Sequence, residues 1–179
     1  MKLHPLPSRA RELLTGTGAP PLLMAHLTVT HEVAAALLAG LSARWPELEL
    51  DTEAVLFGAA THDLGKVRHP QELSAPGTRH EAEGERLLLE LGIAARLARF
   101  CRSHGEWGAE SPLEDLLVAL ADKVWKGCRI PELEDLITTR LSEQLGLERW
   151  SVYLALDDML AEIAQRADER LRWLEGHGR

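Results

Sequence analysis

The run Ala59-Ala60-Thr61-His62-Asp63-Leu64-Gly65-Lys66 closes an apolar segment that reads as a buried helix starting from an Asp51 N-cap. An imidazole and a carboxylate left unpaired in apolar surroundings are costly, whereas a divalent cation shared between them turns that cost into ligation. Adjacent residues on a helix point about 100° apart, so His62 and Asp63 reach one ion only where the helix ends. Gly65 supplies the expected stop.

Outward from this run the pattern stays helical. Trp45-Pro46 closes the helix before it, and Ser111-Pro112-Leu113-Glu114 reads as a cap, a first-turn proline and an acidic first turn leading to Asp122, about two turns in. Residues 132–144 and 148–173 give two more helices, the last with Trp150, Leu154, Leu160, Ile163, Leu171 and Leu174 spaced for one apolar face. No alternating β-branched pattern appears, so the expected fold is all-α, with about six to eight helices. Prolines and glycines make 1–21 an irregular leader, with a short helix at 8–14, and 22–179 a single domain.

At 179 residues, 45% of them hydrophobic, the chain can bury one substantial core. The longest apolar run, Val33 to Leu41, spans nine residues, and Met1 to Pro7 lacks a secretory h-region, so a cytoplasmic protein without a membrane partner is expected. Cys101 and Cys128 stand at no recognisable spacing and read as small hydrophobes. The net charge of −8, with basic residues scattered, argues against duplex nucleic acid. A small phosphorylated substrate suits this balance better, because local cations outweigh the global charge within a site. Oligomeric state is not legible.

His26, His80, His104 and Asp122 stand in further helix-like segments. The settings His26-Leu27-Thr28-Val29-Thr30, Thr61-His62-Asp63-Leu64-Gly65-Lys66 and Ala119-Leu120-Ala121-Asp122-Lys123 together resemble the H…HD…D signature of the HD superfamily of metal-dependent phosphohydrolases, over residues 22–127, with C-terminal helices at 131–174. His80-Glu81-Ala82-Glu83-Gly84 and Phe100-Cys101-Arg102-Ser103-His104 resemble the two extra histidines of the H-HD-H-H-D subset, whose members hold two metals. That subset includes cyclic dinucleotide phosphodiesterases with a GYP motif, symmetric dinucleoside tetraphosphate hydrolases and mixed-valence di-iron oxygenases. Here His104 is followed by Gly105-Glu106-Trp107-Gly108, so the GYP motif is absent.

The resemblance implies an HD-type helical bundle and a nucleotide or related small phosphate ester or anhydride cleaved through a metal-bound hydroxide. It implies His26, His62 and Asp122 on one ion, Asp63 bridging, and His80 and His104 on a second. His31 is the alternative to His26; on a helical wheel His26 lies along the stripe of Val29, Val33, Ala34, Leu37 and Leu41, and His31 nearer the polar edge. Imidazole and carboxylate ligands suit one or two divalent ions of Fe, Mn, Ni, Co or Zn. Asp63 and Lys66 are the candidate catalytic residues; Lys66, Arg79, Lys123 and Lys126 are the candidate phosphate contacts. Lys66 also reads as a helix-terminal lysine answering the dipole. A di-iron oxygenase on the same ligands, or a regulatory protein with a structural metal, are the alternatives.

Overall fold

A computed structural model describes residues 3–178. Among the described residues there is no strand. The helices are α1 (Ser8–Gly16), α2 (Pro21–Arg44), α3 (Thr52–Thr61), α4 (Arg79–Glu90), α5 (Ala95–Ala98), α6 (Phe100–Ser103), α7 (Leu113–Val124), α8 (Pro131–Leu145), α9 (Arg149–Gln165) and α10 (Ala167–His177). Eight of them run nine residues or more, and α5 and α6 are single turns. Two 3₁₀ turns, Leu64–Val67 and Pro70–Leu73, bridge α3 to α4.

The long helix α2 is the axis of the fold, with α3, α7, α9 and α10 packed against it. Averaged over 18 residues it is long and apolar enough to cross a membrane, because averaging absorbs the polar positions that interrupt the nine-residue run. Yet 61% of that window is buried inside the protein, as befits a central core helix. Leu37 and Leu41 of α2 pack with Val55 and Ala59 of α3, Leu116 and Leu120 of α7, and Leu156 and Leu160 of α9. Each such leucine contributes about 1.5–3 kcal/mol by leaving water. A second cluster places Ala10 and Leu14 of α1 against Leu23 and Leu27, together with Phe57, Leu64 and Leu88. Residues 8–16 of the leader are therefore helical and part of the core.

Several local expectations shift. Ser111 does not cap α7; its Oγ accepts from the Gly108 N–H, 3.0 Å away, and α7 starts behind Pro112 without a side-chain cap. Asp122 is about two turns into α7, as expected, and lies in its last turn. The predicted helix 148–173 breaks at Arg166 into α9 and α10. Its buried face in α9 is Val152, Leu156, Leu160 and Ile163, while Trp150 is 63% exposed and stacks on Tyr153. The α9 segment carries two apolar stripes at helical spacing, and periodicity alone does not say which one faces the bundle.

Asp51 does cap α3, accepting from the Ala54 N–H at 3.0 Å. Gly65 has a different role from the one expected. The helix ends earlier, at Thr61, and Gly65 lies where α4 crosses the first 3₁₀ turn. A Cβ there would collide with the His80 carbonyl oxygen and stand 2.6 Å from the Gly84 nitrogen. Lacking one, the 3₁₀ turn and α4 touch backbone to backbone, which brings His80 beside the His62-Asp63 pair.

Candidate metal centre

His62 is the C-cap residue of α3 and Asp63 follows it out of the helix, at φ −97° and ψ 8°. Around this break the fold gathers His26 from α2, His80 from the first turn of α4, His104 from just beyond α6 and Asp122 from α7. His26 Nε2 lies 3.1 Å from Asp63 Oδ2 and 3.3 Å from Asp122 Oδ1, and His62 Nε2 lies 3.4 Å from the same Asp122 oxygen. On the other side, Asp63 Oδ1 is 3.0 Å from His80 Nε2 and 3.6 Å from His104 Nε2. The two oxygens of Asp63 therefore face different histidines.

The outer ring nitrogens fix the inner ones. His62 Nδ1 sits 3.1 Å from the Ala59 carbonyl and His104 Nδ1 3.2 Å from the Phe100 carbonyl. A carbonyl only accepts, so Nδ1 is the donor and Nε2 keeps its lone pair. His80 Nδ1 meets Glu72 Oε2 at 2.6 Å. The inward atoms His26 Nε2, His62 Nε2, His80 Nε2 and Asp63 Oδ1 are buried and make no hydrogen bond of good geometry. Buried ligand atoms that converge without hydrogen-bond partners fit a cation shared among them.

The electrostatics are those of a strongly coupled site. Burial works against charge on His26, but Asp122 and Asp63 outweigh it and raise its pKa to about 9. Burial, aided by His62, pushes His104 down to about 4. At Asp63 and Asp122 burial favours the neutral carboxyl; the surrounding imidazoles, His62 and His26 at both and His80 at Asp63, overcome it and hold both well below the carboxylate range. Two lysines reach the same carboxylates: Lys66 Nζ is 2.6 Å from Asp63 Oδ2, the oxygen that also faces His26, and Lys123 Nζ is 2.7 Å from Asp122 Oδ2.

A cavity of about 430 Å³ opens over these groups. Lys66, Lys123 and Lys126 line it, with Leu22, Leu23, Leu73 and Leu174 as apolar wall. Among the described residues lining it there is no serine, threonine or cysteine.

The six residues His26, His62, Asp63, His80, His104 and Asp122 are thus in one place. His31 is not; it is 3% exposed and enters none of the metal-competent groupings of the described residues. The polar edge assigned to it on the wheel is itself covered, since Glu32 is buried and accepts from the His4 backbone and ring, each within 2.7 Å. Arg79 also departs from its expected place: its side chain is exposed and outside the cavity lining, while its backbone N–H donates to Glu72. Lys66 and Lys123 line the cavity but rest on carboxylates, and Lys126 is at the rim, 6.0 Å from the Trp125 ring. Trp125 packs edge-on against His26 at 5.6 Å, and Trp107 packs on the core. Glu106 is exposed. His4 is paired, as above, and His177 stacks on Trp173.

Two carboxylates were missed. Glu72, 8% exposed, accepts from the His80 ring and from the backbone N–H groups of Arg79 and His80. Glu81, equally buried, follows His80 and lines the cavity. Glu72 stands in an irregular segment where no periodicity points to it. Glu81 stands directly after His80, and that adjacency is the one signal in the sequence that points to it.

A family model described as HD domain matches residues 28–125, more than half of the chain. Proteins of that family are generally metal-dependent phosphohydrolases that bind divalent metals. The matched region begins two residues after His26 and contains His31, so it is the geometry that brings in His26. No curated protein and no solved structure matches the chain.

Proposed function

The chain belongs to the HD domain family, and from that premise we propose that it is a phosphohydrolase cleaving a phosphate ester or anhydride of a nucleotide or related small molecule. The observation that carries this reading is the convergence of buried, unpaired ligand atoms beneath a lysine-lined cavity. His26, His62 and Asp122 would hold one divalent ion, His80 and His104 a second, with Asp63 shared between them. Such ions supply Lewis acidity, acidifying water to a nucleophile and polarising phosphoryl oxygens.

The protein's own groups do the rest. His62 and His104 keep their inward nitrogens free because backbone carbonyls occupy the outer ones. Lys66 and Lys123 place ammonium groups at the cavity wall, where they can leave Asp63 and Asp122 for the equatorial oxygens of a phosphoryl group. The leucine wall and Trp125 exclude water on one side. With no hydroxyl or thiol among the described residues that line the cavity, water is the nucleophile in this reading.

The test is elemental analysis of the purified protein, with a screen of phosphomonoesters, dinucleoside polyphosphates and cyclic nucleotides. Metal-dependent phosphate release that disappears in Asp63→Asn is expected. Bound iron with oxygen uptake and no phosphate release would replace this reading by the oxygenase one.

A further inference from the structure

Glu81 is the one buried acid of the cavity that the reading above leaves without a role. It is 8% exposed, lines the cavity, and its carboxylate accepts no hydrogen bond from any described residue. Its strongest charged neighbours are mostly of its own sign: Glu106, Asp63 and Glu72 repel it, while His80 and, from the exposed side, Arg102 attract it. A carboxylate in that setting is costly unless a cation is shared with it.

Its position makes sharing possible. His80 and Glu81 are the second and third residues of α4. Helical Cβ atoms tilt toward the N-terminus, so first-turn side chains lean past the helix end, where two neighbours can meet at one point. One nitrogen each of His80 and His104 and one carboxylate oxygen of Glu81 do lie within 4.8 Å of one another. The opposite wall is shaped for the carboxylate as well: a Cβ on Gly105 would stand 2.7 Å from the Glu81 carboxyl carbon.

We propose that Glu81 is a ligand of the second cation, completing a site of His80, Glu81 and His104 beside the shared Asp63. This inference rests on the two-cation reading of the centre. Two imidazoles with carboxylate oxygens suit Mn²⁺, Fe²⁺, Co²⁺ or Zn²⁺. Four protein ligands still leave a six-coordinate ion room for water or a phosphoryl oxygen.

The experiment is calorimetric titration of the metal-stripped full chain with Mn²⁺. Wild type should take up two equivalents. Glu81→Gln should bind the first with unchanged affinity, which also reports that it is folded, and the second at least about tenfold more weakly. Gly105→Ala, which displaces the carboxylate, should weaken the same equivalent. In wild type carrying ¹³C-carboxyl glutamate, the second equivalent should shift a glutamate carboxylate band in the infrared, a readout that needs no variant. Two equivalents with wild-type affinities in Glu81→Gln, or no band shift in the labelled wild type, would overturn the role of Glu81 and leave the two-cation reading standing. A wild type that binds fewer than two equivalents would overturn that reading and this inference together.

Discussion

Glu72 Oε2 lies 2.6 Å from His80 Nδ1 and 3.1 Å from the His80 backbone nitrogen, so one carboxylate holds both the ring and the main chain of the same residue. Burial opposes a proton on His80, but Asp63 and Glu72 on its two ring nitrogens outweigh it and raise its pKa. A carboxylate on the outer nitrogen fixes the tautomer and strengthens the inner nitrogen as a ligand. Glu72→Ala is therefore expected to weaken divalent-metal binding by about 10–100-fold. Glu72→Gln, whose amide oxygen still accepts, should retain part of it. Equal metal affinity in wild type and Glu72→Ala would reduce the contact to packing.

The two histidines of α2 should separate cleanly. His26→Ala is expected to lose metal, because its Nε2 is within 3.3 Å of both Asp63 and Asp122. His31→Ala should keep the wild-type metal-to-protein ratio. Elemental analysis of both variants after dialysis decides the matter, and the reverse result would move the first ligand to His31.

His31 has its own signature in the acid limb of stability. Burial lowers its pKa to about 4, with Glu32 offsetting part of the effect and His4 adding to it. The unfolded value is about 6.5, so between there and about 4 the unfolded chain binds a proton that the folded chain refuses. Stability from this group is complete above pH about 6.5 and falls as pH drops through that window, by on the order of 3 kcal/mol at most. Urea unfolding of wild type and His31→Leu from pH 7 to 4 should show a shallower pH slope in the variant. Parallel slopes would show that other groups carry the acid limb.

Lys66 tests mechanism apart from ligation. On the best substrate of the screen, Lys66→Ala should lower kcat/KM by about 10²-fold while metal content stays intact. Arginine should rescue only in part, since a planar fork does not occupy the position of a compact ammonium. Near wild-type turnover with a slightly lower Tm would leave Lys66 as a partner of Asp63 alone.

The sequence by itself determined the class of the fold and the types of residue available for chemistry. Apolar spacing at helical period, the absence of an alternating pattern and the Asp51 cap are local properties, and local physics was enough to read them. The adjacency of His62 and Asp63 at a helix end is local too, since a helix sends neighbouring side chains apart and its end lets them meet.

Tertiary structure decided the rest, because burial and convergence depend on what packs against each face. Periodicity on α2 assigned His31 to a polar edge, but the covering of Glu32 by the segment at His4 is a contact 28 residues away in sequence. The choice of stripe on α9 follows from the same kind of covering, whereas Arg79 is left exposed and outside the cavity. Glu72 gained its place only when the 3₁₀ turns folded back on α4. Gly65 allowed that fold-back by yielding the space of a Cβ to the His80 carbonyl. No spacing rule in one dimension encodes such a close approach, since the atoms that need the room come from another element.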